Sequence, residues 1–146
     1  MTIDRHLFFY GNAVSDQLRA DRCIVTDSPA ATRKMIGLCR ALRAAGVRAS
    51  IISMGRGGGT RSGRFFRSHV SRIGGVPVIY GPIWDVPLLS QILSALWLGL
   101  CAARKALRNR KSVHLLYNQM SAYFLALLAL KLFRAKVFVD IEDGPI

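Results

Sequence analysis

Acidic residues are scarce in this chain and absent from a long central stretch. The 146 residues contain 8 Asp and Glu against 21 Lys and Arg, a formal charge of +13, and none of the acids lies between Ser28 and Trp84. Such a field attracts phosphate on nucleic acid, on anionic lipid or on a sugar diphosphate. The excess of Arg over Lys suits bidentate phosphate contacts, although a coding bias toward Arg gives the same composition. The candidate phosphate- or lipid-contacting residues are Arg56, Arg61, Arg64, Arg104, Lys105 and Arg108.

Cysteine and targeting signals are sparse as well. The three cysteines are odd in number and show neither a CxxC motif nor the Cys/His spacing of a zinc site. This pattern favours a reducing compartment and argues against structural zinc, so no metal ligands are assigned. The apolar run near the amino terminus is too short for a signal peptide. We therefore expect a cytoplasmic protein.

Three common catalytic signatures are missing. The glycine-rich segment Gly55–Arg64 matches no frame of G-x-G-x-x-G, and it offers Arg64 and Phe65 where a P-loop requires Lys and Ser or Thr. The segment is therefore expected to be a mobile basic loop rather than a phosphate cradle. No nucleophile triad is evident, because the histidines fall in apolar strands, where satisfied core or edge histidines are commoner. They are His6, His69 and His114.

What the chain does contain is an alternation of apolar strands and amphipathic helices. Half of the residues are apolar (51%), which excludes disorder. Ser28-Pro29 and Gly46 are the start and stop signals of the clearest helix. Pro77 predicts either that its strand lies at a sheet edge or that Pro77 itself lies at the start of the strand. The predicted strands are His6–Tyr10, a short piece at Cys23–Thr26, Val47–Ser53, an uncertain Phe65–Ile73, Val76–Tyr80, His114–Tyr117 and Lys136–Ile141; the later helices are Trp84–Arg108 and Met120–Phe133. This order predicts one α/β domain over residues 1–146, a doubly wound, mainly parallel sheet with helices on both faces.

The second helix is unusually apolar. Residues 86–103 have only Ser90, Gln91 and Ser94 as polar side chains, and the leucines and isoleucine of the first half share one face. Three interpretations remain open: a helix covering the sheet, a helix in a membrane surface, or a membrane span. The basic block from Arg104 to Lys111 fits a membrane surface, and it fits a helix carboxyl terminus equally.

Ligands of parallel α/β sheets bind beyond the carboxyl ends of the strands. Five loops are predicted to lie there. They follow the predicted strands that end at Tyr10, Ser53, Tyr80, Tyr117 and Ile141. The candidate ligand-binding residues at these loops and at the start of the first long helix are Gly11, Asn12, Ser28, Gly81 and Asn118. Glu142 and Asp143 are weak catalytic candidates, since a solvated turn before Gly144 explains them as well.

The segments SPAATRKMIGLCRALRAAG, VRASIISMG, HLLYNQMSAYFLALLALKL and KVFVDIEDG together resemble the amino-terminal domain of bacterial family 4 glycosyltransferases, which have the GT-B fold. In that family this domain receives the acceptor and a second Rossmann-like domain binds the nucleotide-sugar. The resemblance implies that Asn118 and the Gly81-Pro82 turn line the acceptor cleft. No donor domain with its paired glutamates is found within the 146 residues, so we expect it in the same gene product or in a separate chain.

The resemblance therefore implies an acceptor-binding half that is inactive alone. No cofactor would be bound tightly, and a nucleotide-sugar would be the donor of the complete enzyme. The acceptor would be lipid-linked or a polysaccharide, and the chain would lie peripherally on an anionic membrane at the cytoplasmic face. Two alternatives stay open: a basic nucleic-acid-binding protein, which the lack of a recognition helix disfavours, and a non-catalytic membrane adaptor built on the same half-fold.

Overall fold

The computed structural model describes residues 5–59, 62–118 and 121–141. The strands are β1 (His6–Gly11), β2 (Ile24–Thr26), β3 (Arg48–Ser53), β4 (Gly58–Gly59), β5 (Phe65–Phe66), β6 (His69–Ile73), β7 (Val76–Tyr80), β8 (Ile83–Trp84), β9 (Val113–Tyr117) and β10 (Lys136–Asp140). The helices are α1 (Asp16–Asp21), α2 (Pro29–Ala44), α3 (Leu89–Arg108) and α4 (Phe124–Leu132), the last preceded by a 3₁₀ turn at Ser121–Tyr123.

The main sheet has six strands in the order β10-β9-β1-β3-β7-β6. Neighbouring strands pair in parallel from β10 to β7, and only the edge strand β6 runs antiparallel, against β7. From β1 the chain first builds outward through β3 and β7, and then returns to add β9 and β10 on the other side. This order places a topological switch point between β1 and β9. The predicted doubly wound, mainly parallel α/β fold is confirmed.

Two hydrophobic cores lie on the two faces of the sheet. One contains α2 residues such as Met35 and Cys39, and the other contains Leu98 of α3 and Leu130 of α4. The central strand β1 contributes to both, because Phe9 faces one core and Phe8 the other. A strand buried on both faces reads as a continuous apolar run, which is why HLFFY predicts it directly.

The predicted signals of α2 are confirmed. The Ser28 hydroxyl oxygen accepts a hydrogen bond from the Ala31 amide at 3.3 Å, and Pro29 is the first helical residue. Gly46 follows the helix with φ +81°, a left-handed conformation that glycine adopts without strain.

Several predicted boundaries differ from the structure. Strand β7 is not an edge strand, because β6 pairs with the side of β7 that faces away from β3. Pro77 lies near the start of β7, before the parallel pairing with β3 begins at Val78. The uncertain segment 65–73 forms two strands, of which β5 pairs with β8. Trp84 therefore lies in a strand, and α3 begins five residues later than predicted, at Leu89.

Helix α3 covers the sheet, but with a different face from the leucine-rich one. Its buried residues are Ser94, Leu98, Ala102 and Ala106. The predicted apolar face of its first half points outward, with Leu89, Ile92 and Leu96 exposed. Within the described parts of the chain, no helix has both the length and the hydropathy needed to cross a membrane.

Candidate functional site

The carboxyl ends of five parallel strands meet at one edge of the sheet. The loops that leave β1, β3 and β7 contact each other through the backbone: the Met54 amide donates to the Gly11 carbonyl at 3.1 Å, and the Gly81 amide to the Ser53 carbonyl at 2.9 Å. On the other side the Asn118 amide donates to the Asp140 carbonyl at 2.6 Å. The predicted convergence is confirmed for the loops after β1, β3, β7 and β9; the fifth loop, after β10, lies outside the described residues. The predicted candidates Glu142, Asp143 and Arg61 lie outside the described residues.

A cavity of about 440 Å³ opens at the switch point between β1 and β9. Ligands of doubly wound sheets bind at this position. Six parts of the chain line it: the loops after β1 and β3, the start of α2, the start of α3, the end of β9 and the 3₁₀ turn before α4. The lining residues are Asn12, Ser28, Ala31, Met54, Arg56, Gly57, Ser90, Gln91, Tyr117 and Tyr123.

Arg56 is held in this cavity by Asn12. The Asn12 side-chain amide accepts from the Arg56 backbone amide at 3.0 Å and donates to the Arg56 carbonyl. The predicted candidate Asn12 thus lines the cavity while its amide positions the arginine. Sequence alone could not show this pairing, because the two residues are 44 positions apart.

Two polar atoms in the cavity lining are buried without a partner. Among the described residues, neither Nη1 of Arg56 nor the hydroxyl of Tyr123 has a hydrogen-bond partner. Burial lowers the pKa of Arg56, and burial also raises the pKa of Tyr123, opposed by the positive charge of Arg56. Buried groups of this kind are normally satisfied, so two unsatisfied groups on residues that line one cavity favour a ligand that accepts hydrogen bonds.

The start of α2 adds positive potential to the same cavity. Ser28 and Ala31, both in the cavity lining, belong to the cap and first turn of this 16-residue helix. The amino end of a helix carries a partial positive charge. With the guanidinium of Arg56, it makes the cavity suited to an anion.

Sequence reasoning missed Arg22, whose buried side chain connects the loops at the carboxyl edge of the sheet by hydrogen bonds. The side chain is only 6% exposed. Its guanidinium donates to the carbonyls of Gly55 at 2.9 Å, Gly81 at 3.0 Å and Arg67 at 3.2 Å. Burial lowers the pKa of Arg22. Arg22 lies in a polar stretch whose pattern carries no signal for a buried cation, because its partners are 33 to 59 residues away.

The remaining acceptor candidates have other surroundings. A Cβ on Gly11 would lie 2.3 Å from Met35 Sδ, and one on Gly81 would lie 2.8 Å from the Trp97 ring, so both glycines permit close packing of helices on the sheet edge. Asn118 lines a second, mainly apolar cavity of about 480 Å³, together with Phe124 and other residues of β9, α4 and β10.

The other described basic candidates lie in two places. Arg64 is exposed on the loop before β5. Arg104 and Arg108 are exposed near the carboxyl end of α3, while Lys105 is half-buried with Nζ 4.9 Å from the centre of the Phe8 ring. Since the start of α3 lines the cavity, these three residues lie toward the opposite edge of the sheet.

The histidines have structural surroundings, as expected. His114 is fully buried: Nδ1 lies 2.9 Å from the Tyr10 hydroxyl and Nε2 lies 2.8 Å from the Ser112 hydroxyl. The Ser112 hydroxyl donates in turn to the Asn109 carbonyl at 2.6 Å. A serine within reach of a histidine could resemble a nucleophile and its base, but both side chains are closed to solvent, which leaves no approach for a substrate.

In the parts of the chain that the structure describes, no group of His, Cys, Asp and Glu is placed to hold a metal ion. Comparison with protein-family models, with curated proteins and with solved structures gives no match to the chain. The geometry of the carboxyl edge therefore carries the functional inference.

Proposed function

We propose that the chain is the acceptor-binding half of a glycosyltransferase, and that the switch-point cavity receives the phosphate of a lipid-linked acceptor. The observation that carries the proposal is that two residues lining one cavity at the carboxyl edge of the sheet, Arg56 and Tyr123, each have a buried polar atom without a hydrogen-bond partner.

The chemistry of the cavity fits a phosphorylated lipid. A guanidinium and a helix amino end favour a phosphate group. The neighbouring cavity, lined by Phe124, Leu127 and Val139, offers an apolar surface for a hydrocarbon chain. Tyr123 lines both cavities, and Asn118 lines the apolar one.

In this proposal the chain binds and orients the acceptor, and a separate nucleotide-sugar domain supplies the donor and the groups that stabilise the departing nucleotide diphosphate. Holding the two substrates in the correct geometry is a large part of such catalysis. The 146-residue chain is therefore expected to show no transfer from a nucleotide-sugar by itself.

Binding of farnesyl diphosphate, a short soluble lipid diphosphate, tests the proposal by isothermal titration calorimetry. Arg56→Gln removes the unpaired cation and should weaken binding by roughly tenfold to a hundredfold, the value of a charge-assisted hydrogen bond. Tyr123→Phe, which keeps the ring, should weaken it by a smaller factor. Arg72→Gln removes the same charge from the exposed edge strand β6 and is the matched control.

Equal affinities of the Arg56→Gln and Arg72→Gln variants would exclude the cavity as the phosphate site. Transfer of sugar by the purified chain without a partner would contradict the assignment as an acceptor half. Displacement of the probe by an oligonucleotide, with a steep salt dependence, would favour the nucleic-acid-binding alternative instead.

A further inference from the structure

The outer surface of α3 and α4 is apolar over the whole length of both helices. Eight large hydrophobic side chains there are between 43% and 74% exposed. We call this surface the α3–α4 apolar face; it consists of Leu89, Ile92, Leu96, Leu100 and Leu107 of α3 and Phe124, Leu128 and Leu132 of α4. Soluble domains rarely expose so many large apolar side chains together, and a surface of this kind marks an interaction site.

The two helices present these side chains in the same direction. In α3 the members from Leu89 to Leu100 are three or four residues apart, and Leu107 follows two turns later on the same stripe; the α4 members are four residues apart. The opposite sides of both helices, including Leu98 and Leu130, enter the same core on the same face of the sheet. Gly99 lets the helices approach closely, since a Cβ there would lie 3.1 Å from Cβ of Leu125. The apolar face is therefore one continuous surface.

The charges around this face have one sign. No Asp or Glu occurs from Val86 to Val139. Exposed cations follow or flank the apolar stripes toward the carboxyl ends of both helices; they are Arg104, Arg108, Arg110, Lys111, Lys131, Arg134 and Lys136. A partner for this surface must be apolar and must also supply negative charge.

We propose that the α3–α4 apolar face docks on an anionic lipid membrane, with both helices lying in the plane of the interface. Helices with an apolar face and flanking Lys and Arg bind at the boundary between the headgroups and the acyl chains. There the acyl chains surround the apolar side chains and the anionic headgroups neutralise the cations. A second copy of the chain would bring further uncompensated cations to the surface, so charge complementarity favours lipid over self-association. This surface is distinct from the switch-point cavity, which none of its eight residues lines, and it shares only Phe124 with the neighbouring apolar cavity.

Flotation with vesicles tests the proposal. The chain should float with vesicles made of equal parts phosphatidylcholine and phosphatidylglycerol, and only weakly with phosphatidylcholine alone. Replacing Leu96 and Leu100 together by Gln should weaken vesicle binding roughly tenfold or more, because two inserted apolar side chains are lost. Val25 and Val70, exposed on other parts of the surface, provide the matched control when both are changed to Gln.

A second pair of variants separates a local charge effect from net charge. Arg104→Gln with Arg108→Gln should weaken binding to the anionic vesicles roughly thirtyfold, from about 1 kcal/mol for each cation near such a surface. Arg33→Gln with Arg40→Gln lowers the net charge equally, but on α2, which packs on the other face of the sheet. This control pair should retain most of the binding.

Equal loss of binding in the two arginine pairs would overturn the proposal, since it would show attraction by net charge alone. Full binding by the Leu96 and Leu100 double variant would overturn it as well. A lipid-free dimer that this variant converts to a monomer, with no vesicle binding by the wild type, would instead assign the surface to a second copy. None of the residues substituted here lines either cavity, so these results can be distinguished from farnesyl diphosphate binding, which tests the acceptor site.

Discussion

The buried His114 should make the fold sensitive to mild acid. Its two ring nitrogens are used by Tyr10 and Ser112, and the side chain is fully buried. The hydrogen bonds fit a neutral ring that accepts from the Tyr10 hydroxyl at Nδ1 and donates from Nε2 to Ser112. Burial, assisted by the nearby His6, lowers the pKa of His114 to about 4.

The sign of the effect follows from this lowered pKa. The folded chain resists protonation of His114, whereas the unfolded chain binds a proton at the ordinary histidine pKa of about 6.5. The stabilising contribution of the neutral ring is therefore complete above the unfolded pKa and is lost as the pH falls toward the folded pKa. Between pH 7 and pH 5 it should decrease by about 2 kcal/mol, and the total loss at lower pH should reach about 3 kcal/mol.

Urea denaturation at a series of pH values measures this contribution. The variant His114→Gln keeps polar atoms for both neighbours but does not titrate, so its stability should fall by about 2 kcal/mol less than that of the wild type between pH 7 and pH 5. His69→Gln, at an exposed histidine of β6, is the control for the substitution itself. Parallel pH profiles of the wild type and His114→Gln would refute the reasoning, whatever the absolute stability of the variant.

Two further substitutions test the packing of the carboxyl edge and of α2. Arg22→Met keeps the apolar stem but leaves the buried carbonyls of Gly55 and Gly81 unpaired. The free energy of unfolding, measured by urea denaturation, should therefore fall by roughly 3 kcal/mol. A loss below about 1 kcal/mol would show that water replaces the guanidinium. Gly37→Ala lies at an exposed position of α2 where a Cβ would meet no atom within 4 Å. It should raise the melting temperature, because alanine is favoured over glycine by about 1 kcal/mol inside a helix. No increase would show that something other than helix propensity requires glycine at this position.

The elements that sequence predicted well are those whose signals are local. The buried run at His6–Tyr10 and the cap and stop of α2 depend on neighbouring residues, and the structure confirms them within one residue or two. The convergence of loops at one edge follows from parallel pairing alone. Arg56 and Asn12 were therefore predicted as candidates from their loops, without knowledge that they contact each other.

The features that sequence missed depend on distant partners. Tyr123 reaches the cavity only because the 3₁₀ turn before α4 packs beside the β3 loop. The orientation of α3 was not predictable from its hydropathy, because both of its faces are apolar over much of its length. Packing selected the face of small residues, including Ser94 and Ala102, since small side chains let α3 lie close to the sheet and to α4. The larger leucines were left outside.

The two proposed surfaces meet at the amino ends of α3 and α4. In α3, Ser90 and Gln91 line the switch-point cavity, while the adjacent Leu89 and Ile92 belong to the α3–α4 apolar face. At α4, Phe124 belongs to that face and also lines the apolar cavity beside Asn118. A membrane in contact with the apolar face would therefore reach the carboxyl edge of the sheet. A lipid phosphate could then approach Arg56 while its hydrocarbon chain stays in apolar surroundings, so docking and acceptor binding would each lower the cost of the other.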